Sequence, residues 1–299
     1  MTTRILQFGT TGQLARELLA QAGEFDVEIT ALSRDDVDLA DPAAAAAAVR
    51  SHAADVVIIA AAYTAVDLAE SERDLAQAVN AEAPGAIAAA CGASGPALVS
   101  ISTDYVFAGD KGAPYIEADQ PAPLNVYGAT KLAGERLIAA NCPRALVIRT
   151  SWVVSSHGKN FIKTMLRLAG EGKPLKVVDD QYGRPTAARD LARFILGQAE
   201  RLAAAPAGDR VFGIYHFANA GEVTWKGLAE GVFDLAFGPD APGVGASATA
   251  DWPAPAKRPL RGTLDTGKLE RVFGVTPRPW REAAAEIVAE LKMEQRSAA

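Results

Sequence analysis

Apolar residues along this chain recur in short unbroken runs, and each run stops at glycine, serine or a charged residue. Ile5 to Phe8 ends at Gly9-Thr-Thr-Gly12, after which Leu14, Leu18 and Leu19 return at helical spacing. The pattern predicts strand, glycine turn and helix, the opening of a βαβ unit. Val27 to Leu32 predicts a second strand. Asp41-Pro42 then precedes six alanines, and an aspartate N-cap with proline at the first helical position makes that stretch a helix rather than low complexity. Val56 to Ala62 predicts a third strand, and Leu98 to Ser102 and Ala145 to Arg149 two more. None alternates apolar with polar, as expected of parallel strands covered on both faces.

Helix-length segments at 67–93 and 125–140 separate these strands, so strand and helix alternate to about residue 150. That alternation predicts an α/β fold, a Rossmann-type doubly wound parallel sheet. Beyond Trp152 the rhythm loosens. Gly and Pro punctuate 170–185, helices are predicted near 187–204, 224–236 and 280–293, and 238–263 is rich in Gly, Pro and Ala. The polar tail 294–299 is expected to fray. This half reads as a smaller C-terminal lobe that closes over the strand ends.

Composition narrows the functional classes. With 299 residues, 49% of them hydrophobic, the chain can bury a large core. Thirty basic against 36 acidic residues leave a net charge of −6, with no long run of either sign, which argues against a nucleic-acid partner. Cys91 and Cys142 are too few for a disulfide framework and lack zinc-ligand spacing, so both read as small core residues. No basic leader precedes an apolar run, and nowhere do about 18 uncharged apolar residues follow one another, so a cytoplasmic location without a membrane partner is expected.

Gly9-Thr-Thr-Gly12-Gln-Leu-Ala15 matches a fingerprint in which missing side chains let a pyrophosphate approach the backbone at a helix N-terminus. Alone it is also an ordinary strand-to-helix turn; its place on the first strand of an alternating chain favours the dinucleotide reading. The second strand ends in Ser33-Arg34 where an acidic residue would face a free ribose. Arg34 suits a 2′-phosphate and so NADPH, with NADH as the alternative; the bland alternative is a solvated Arg34, with Asp38 touching the nucleotide. Ala60, Ala61 and Ala62 allow close approach by a cofactor, or equally serve helix packing. Tyr127-Gly-Ala-Thr-Lys131 opens a helix whose turn of about 3.6 residues sets phenol and ammonium on one face, where the ammonium is expected to draw the phenol pKa down from about 10. A tyrosine and lysine four apart are also common surface neighbours. Thr103 and Asp104, at the end of an apolar strand, tip the balance toward a shared site.

Together these residues resemble the extended short-chain dehydrogenase/reductase superfamily. Longer blocks are similar to its dTDP-4-dehydrorhamnose reductase family: Ala62-Tyr-Thr-Ala-Val-Asp-Leu-Ala-Glu-Ser-Glu72, Ser102-Thr-Asp-Tyr-Val-Phe107, Pro123 to Glu135, Arg149-Thr-Ser-Trp-Val153, Asn160 to Leu166, Asp180 to Thr186 and Leu264 to Leu269. The resemblance implies NADPH-dependent reduction of a nucleotide-linked 4-keto sugar, with Tyr127 as proton donor, Lys131 tuning it and holding the ribose, and Thr103 orienting the oxygen. It places Asp104 and Trp152 beside the sugar, Gly12, Gln13 and Leu14 at the pyrophosphate, Asp38 and Leu39 at the adenosine, and Ala62, Tyr63 and Thr64 further along the cofactor. The implied division is 1–152 plus about 186–218 as dinucleotide-binding domain, and about 153–185 plus 219–299 as substrate-binding lobe.

Some members of that family resemble magnesium-bridged dimers held by glutamates on three segments. Glu17 and Glu290 correspond here, but the middle position is Arg189, so no essential metal is expected, and a homodimer is left open. Two competitors remain: a non-catalytic cofactor-binding partner resembling the regulatory subunit of methionine adenosyltransferase, and a nucleotide-sugar epimerase or dehydratase. Intact Tyr127, Lys131 and Thr103 speak against the first. Asp104-Tyr105, where dehydratases resemble an Asp-Glu pattern, speaks against the second. Arg258-Pro259 reads either as a neighbour of the substrate phosphates or as a solvated loop.

Overall fold

Six parallel strands form the central sheet of the computed structural model, which describes residues 2–172 and 174–298. They are β1 (Thr3–Phe8), β2 (Val27–Leu32), β3 (Val56–Ile59), β4 (Ala97–Thr103), β5 (Ala145–Thr150) and a sixth, Gly213–His216. Their order is β2-β1-β3-β4-β5-sixth, and every pairing is parallel. From β1 the chain runs outward to β2, then crosses to β3 on the other side of β1. A crevice therefore opens past the carboxyl ends of β1 and β3, the switch point where such sheets take ligands.

In chain order the helices are α1 (Gln13–Gln21), α2 (Pro42–Ser51), α3 (Arg73–Gln77), α4 (Ala83–Ser94), α5 (Val126–Asn141), α6 (Phe161–Gly170), α7 (Ala188–Gly197), α8 (Ala199–Ala204), α9 (Trp225–Phe237), α10 (Gly267–Phe273) and α11 (Trp280–Ala298). The period of two along each strand divides the core. Ile5, Ile58, Val99 and Ile148 pack with Leu14 and Leu18 of α1 and Leu191 and Ile195 of α7. Leu6, Phe8, Val57 and Leu98 pack instead with α2, α4 and α5 through Val49, Ile87 and Ile138. Each such buried side chain contributes about 1.5–3 kcal/mol, so this three-layer core is what holds the strand ends in place. Cys91 and Cys142 lie inside it as free thiols.

The second lobe has its own core, in which Ile162 of α6, Leu228, Val232 and Phe233 of α9, and Trp280 and Ile287 of α11 meet. Beside it a parallel pair, Leu175–Val178 with Val244–Ser247, is a short separate ladder. Helix α10 sends Leu269 into the sheet's core instead.

Local chemistry explains the helix starts. Asp41 Oδ1 accepts from the backbone N–H groups of Ala43 and Ala44 at 3.0 Å, with Pro42 first in α2. Asn125 Oδ1 caps α5 by accepting from Gly128 N at 2.8 Å. Four expectations need correction. The third strand stops at Ile59 rather than Ala62, because its ladder partner β1 turns away at Gly9. The segment 67–93 is not one helix: a 3₁₀ turn at Leu68–Glu70 precedes α3, and a π-turn at Ala78–Glu82 joins α3 to α4. The segment 187–204 divides at Gln198 into α7 and α8. The last helix does not stop near residue 293: α11 continues to Ala298.

Candidate active site

A cleft of about 610 Å³ lies at the switch point between sheet and second lobe. Its sheet side begins at the turn after β1. Gly9 has φ +100, and a Cβ there would come 2.8 Å from Ala61 Cβ, so the turn needs glycine both for its backbone conformation and for its closeness to the Ala60–Ala62 segment. Gly12 then caps α1 without a side-chain hydrogen bond, leaving the first N–H groups of the helix facing the cleft, where an anion is stabilised. These residues fit a dinucleotide pyrophosphate.

Gly9, Gly12, Gln13, Leu14, Ala60, Ala61, Ala62, Thr64, Thr103, Asp104, Tyr127, Lys131 and Trp152 all line this one cavity. Thr103 is the last residue of β4, and Asp104 opens the 3₁₀ turn that follows. Tyr127 and Lys131 lie one turn apart in α5, so the sheet and a helix packed on it converge on the same space. Thr103 lies in hydrogen-bonding reach of the Tyr127 phenol, and the Tyr105 ring meets the Tyr127 ring edge-on at 5.7 Å.

Burial dominates the electrostatics. The Tyr127 hydroxyl is pushed up to about 12 by desolvation, reinforced by the neighbouring Asp104 and opposed by Thr103. The same desolvation brings the Lys131 ammonium down to about 8, against the pull of Glu135. The expected lowering of the phenol by Lys131 is thus reversed, because the cost of burying a phenolate exceeds what the lysine returns. Tyr127 is a protonated acid at neutral pH. Beneath Lys131, Glu135 is locked by Arg149, which donates from Nε at 2.9 Å and Nη2 at 2.6 Å, and by Ser102 Oγ at 2.5 Å. Arg149 and Glu135 are both almost wholly buried, a geometry in which removing either partner would strand a charge.

The far wall belongs to the second lobe. Trp152 has φ +47, the left-handed region, at a cost of about 1–3 kcal/mol for a bulky residue. The surroundings over-determine it. Its ring stacks on Trp225 with centroids 3.6 Å apart and planes at 11°, and its other side lies on Gly183, where a Cβ would meet Trp152 Cε2 at 2.6 Å. Trp225 lines the cleft and also a second, more apolar cavity of about 610 Å³ that includes Phe161, Gln181, Trp252 and Arg258. Arg258 donates to both carboxylate oxygens of Asp67, with Nη2 at 2.7 Å from Oδ2, so it is a half-buried, ion-paired residue rather than a free loop arginine.

Other expected residues stand outside the cleft wall. Arg34, with its side chain 77% exposed, pairs with Asp38 at 3.1 Å, so the two alternatives for the ribose end form one ion pair. Leu39 is buried in the sheet's core. Tyr63 donates its hydroxyl to Glu72 at 2.6 Å, while its backbone is pinned by Asn80 of the π-turn. Glu17 and Glu290 do approach one another, but the guanidinium of Arg189 lies between them, with Nε 3.5 Å from Glu17 and Nη1 on Glu290. Among the described residues no group of three acidic, histidine or cysteine side chains is arranged to hold a metal.

Sequence reading missed Trp225, Lys159 and Leu191 as cleft residues. Trp225 carried a local signal, since Thr224 caps α9 just before it by accepting from Gly227 N at 3.0 Å. Lys159 sits in a loop tied to the glycine turn, where Asn160 Nδ2 donates to Gln13 Oε1 at 3.0 Å and Gln13 Nε2 donates to Val153 O at 3.1 Å. Nothing local announced those contacts, which span 140 and 147 residues.

A fold with this cleft has clear relatives. The family model described as RmlD substrate binding domain matches residues 3–293. The chain is 41% identical to dTDP-4-dehydrorhamnose reductase of Sinorhizobium fredii, over 99% of this chain and 100% of that one. It is 42% identical to the enzyme of the same name from Burkholderia thailandensis, over 96% and 99%. Among solved structures it is similar to dTDP-4-dehydrorhamnose reductase from Clostridium acetobutylicum, with a TM-score of 0.89, 37% identity and coverage of 97% and 99%. The Bacillus anthracis reductase in complex with NADP also gives 0.89, at 33% identity over 97% and 100%.

Proposed function

The chain belongs to the dTDP-4-dehydrorhamnose reductase family, and from that premise we propose how its own residues carry the reaction. The reaction is NADPH-dependent reduction of the 4-keto group of dTDP-4-dehydro-6-deoxy-L-mannose to dTDP-L-rhamnose, the last step in making this sugar donor. The cofactor supplies the hydride.

One observation carries the assignment of roles: Thr103, Tyr127 and Lys131, from strand and helix, face the glycine turn across a single cleft. Tyr127, protonated at neutral pH, gives its proton to the forming sugar alkoxide. Thr103 donates to the same oxygen and orients the carbonyl. Lys131 binds the nicotinamide ribose and steadies the tyrosinate left behind. The helix N-terminus after Gly12 holds the pyrophosphate, with Gln13 and Leu14 flanking it and Lys159 adding charge. Arg34 turns from Asp38 to the 2′-phosphate, while Asp38 and Leu39 border the adenosine and Tyr63 and Thr64 the cofactor beyond it. Trp152 and Asp104 enclose the sugar, and the cavity beyond Trp225 takes the nucleotide.

Asp104-Tyr105 leaves elimination of water without an adjacent glutamate, which disfavours a dehydratase. The Arg189 clamp favours a metal-independent enzyme, and two buried free thiols suit a reducing cytoplasm. Among the described residues no helix is long and apolar enough to cross a membrane. Whether two copies associate is read from the mass in solution.

The test generates the keto sugar enzymatically in dTDP and UDP forms and follows NADPH absorbance. Net consumption with the dTDP form, unaffected by EDTA, is expected; no net consumption would point to an epimerase or a binding protein.

A further inference from the structure

Asp104 is a buried ionisable group that binding the sugar alone does not explain. Its residue is 2% exposed. Oδ1 accepts a 3.2 Å hydrogen bond from the Thr103 hydroxyl, the backbone N–H groups of Asp104 and Tyr105 help it less than burial costs it, and Oδ2 is enclosed with no hydrogen-bond partner. The second lobe seals it: a Cβ on Gly262 would lie 2.3 Å from Oδ2. The titratable groups that face it are Tyr105, on its own turn, and Tyr127, on α5. Arg258, which packs over Tyr105, is engaged by Asp67 instead. A carboxylate so deeply buried, with no cation paired to it, is costly to ionise, so the neutral acid is favoured. Burial accordingly raises Asp104 from the ordinary 3.8 to about 7. Thr103 donates to this acid at 3.2 Å, its hydroxyl also acts on the Tyr127 phenol, and all three side chains line the same cleft.

We propose that Asp104 is the proton store of the reduction, entering the cycle as a neutral carboxylic acid and refilling Tyr127 through the Thr103 hydroxyl. After hydride reaches the carbonyl carbon, the sugar alkoxide takes the phenolic proton of Tyr127. The tyrosinate then takes the hydroxyl proton of Thr103, and Thr103 takes the carboxyl proton of Asp104. Asp104 is left as a carboxylate and regains a proton from water when the cleft opens for product release. One hydride and one solvent proton are consumed per carbonyl reduced. Asp104 acts through Thr103 and is a positioning and supply residue; the inference rests on Tyr127 being the acid.

Two measurements on wild type and Asp104→Asn test it. The first is kcat against pH from 5.5 to 9. Because the acid form is the working form, wild-type kcat is expected to fall as pH rises through about 7, with a slope approaching tenfold per unit. The Asn variant should be slower below that pH, by about tenfold or more, and lack this limb. The second is thermal unfolding without substrate, which needs no turnover and so stands or falls independently of Tyr127. A carboxyl whose pKa is higher folded than unfolded stabilises the fold at low pH and loses that stability as pH rises through the folded value. The melting temperature of the Asn variant should therefore gain several degrees on wild type between pH 4 and pH 8.5. A limb retained unchanged in the Asn variant, or a melting difference that does not vary with pH, overturns the proposal. If the Asn variant has no turnover, Asp104→Glu must restore a pH-dependent fraction of it, and a folded Glu variant equally inactive overturns the relay.

Discussion

Thr103 ends a seven-residue strand paired on both sides, and Tyr127 and Lys131 ride on a sixteen-residue helix packed against that sheet. Trp152 and Trp225, across the cleft, are held by one another, by a glycine and by two-residue bridges at 153–154 and 223–224. The sheet side is positioned by a core of buried side chains, each contributing a few kcal/mol at most, that no single change dissolves. The lobe side is positioned by two stacked rings at the edge of that lobe's smaller core, one on a left-handed backbone and the other at the first residue of α9. The first arrangement suits chemistry, where a small misplacement costs much of the rate. The second suits recognition, where a wall can adapt to what it encloses.

The sharpest test of this contrast is Tyr127→Phe. It should keep NADPH binding, read by fluorescence quenching, while kcat falls by about 10²–10⁴. A variant with wild-type turnover would remove the sheet side from the chemistry. Next is Trp225→Ala, which takes away one half of the stack and part of the wall of both cavities. KM for the nucleotide sugar should rise about tenfold, equivalent to about 1.4 kcal/mol, with KM for NADPH unchanged. A change confined to kcat would show that the lobe also positions the reacting atoms. The smallest effect is expected at the rim. Arg34→Ala should raise KM for NADPH about three- to tenfold with little change for NADH, the size of one exposed charge-assisted contact. Equal effects on both cofactors would leave Asp38 as the ribose contact and Arg34 as a solvated side chain.

The sheet half was legible because its signals are local. An apolar run without alternation means a strand buried on both faces, and Asp41-Pro42 and the Gly9–Gly12 turn mark boundaries wherever they occur. Tyr127 and Lys131 were legible for the same reason, since a helical turn alone places them on one face. Their acidity was not: it follows from how completely the folded chain excludes water, and desolvation overrode the ion-pair argument. Lys159 and the Asp67–Arg258 pair were illegible because each acts across a gap of many residues, and for Trp225 the local cap marked a helix start but not the cleft it faces. The pairing of Arg34 with Asp38 was open to reading, four apart in one loop, but local spacing cannot say which partner a flexible guanidinium takes.

The amino-acid sequence by itself determined the parallel sheet, the order in which its strands and helices follow, and many of the residues that line the cleft, because periodicity and turn chemistry act over a few residues at a time. Tertiary structure alone decided which carboxylate loses its water, which cation stands between Glu17 and Glu290, and which aromatic rings close the cleft. Those outcomes depend on distances between segments far apart in the chain, and no local pattern encodes them.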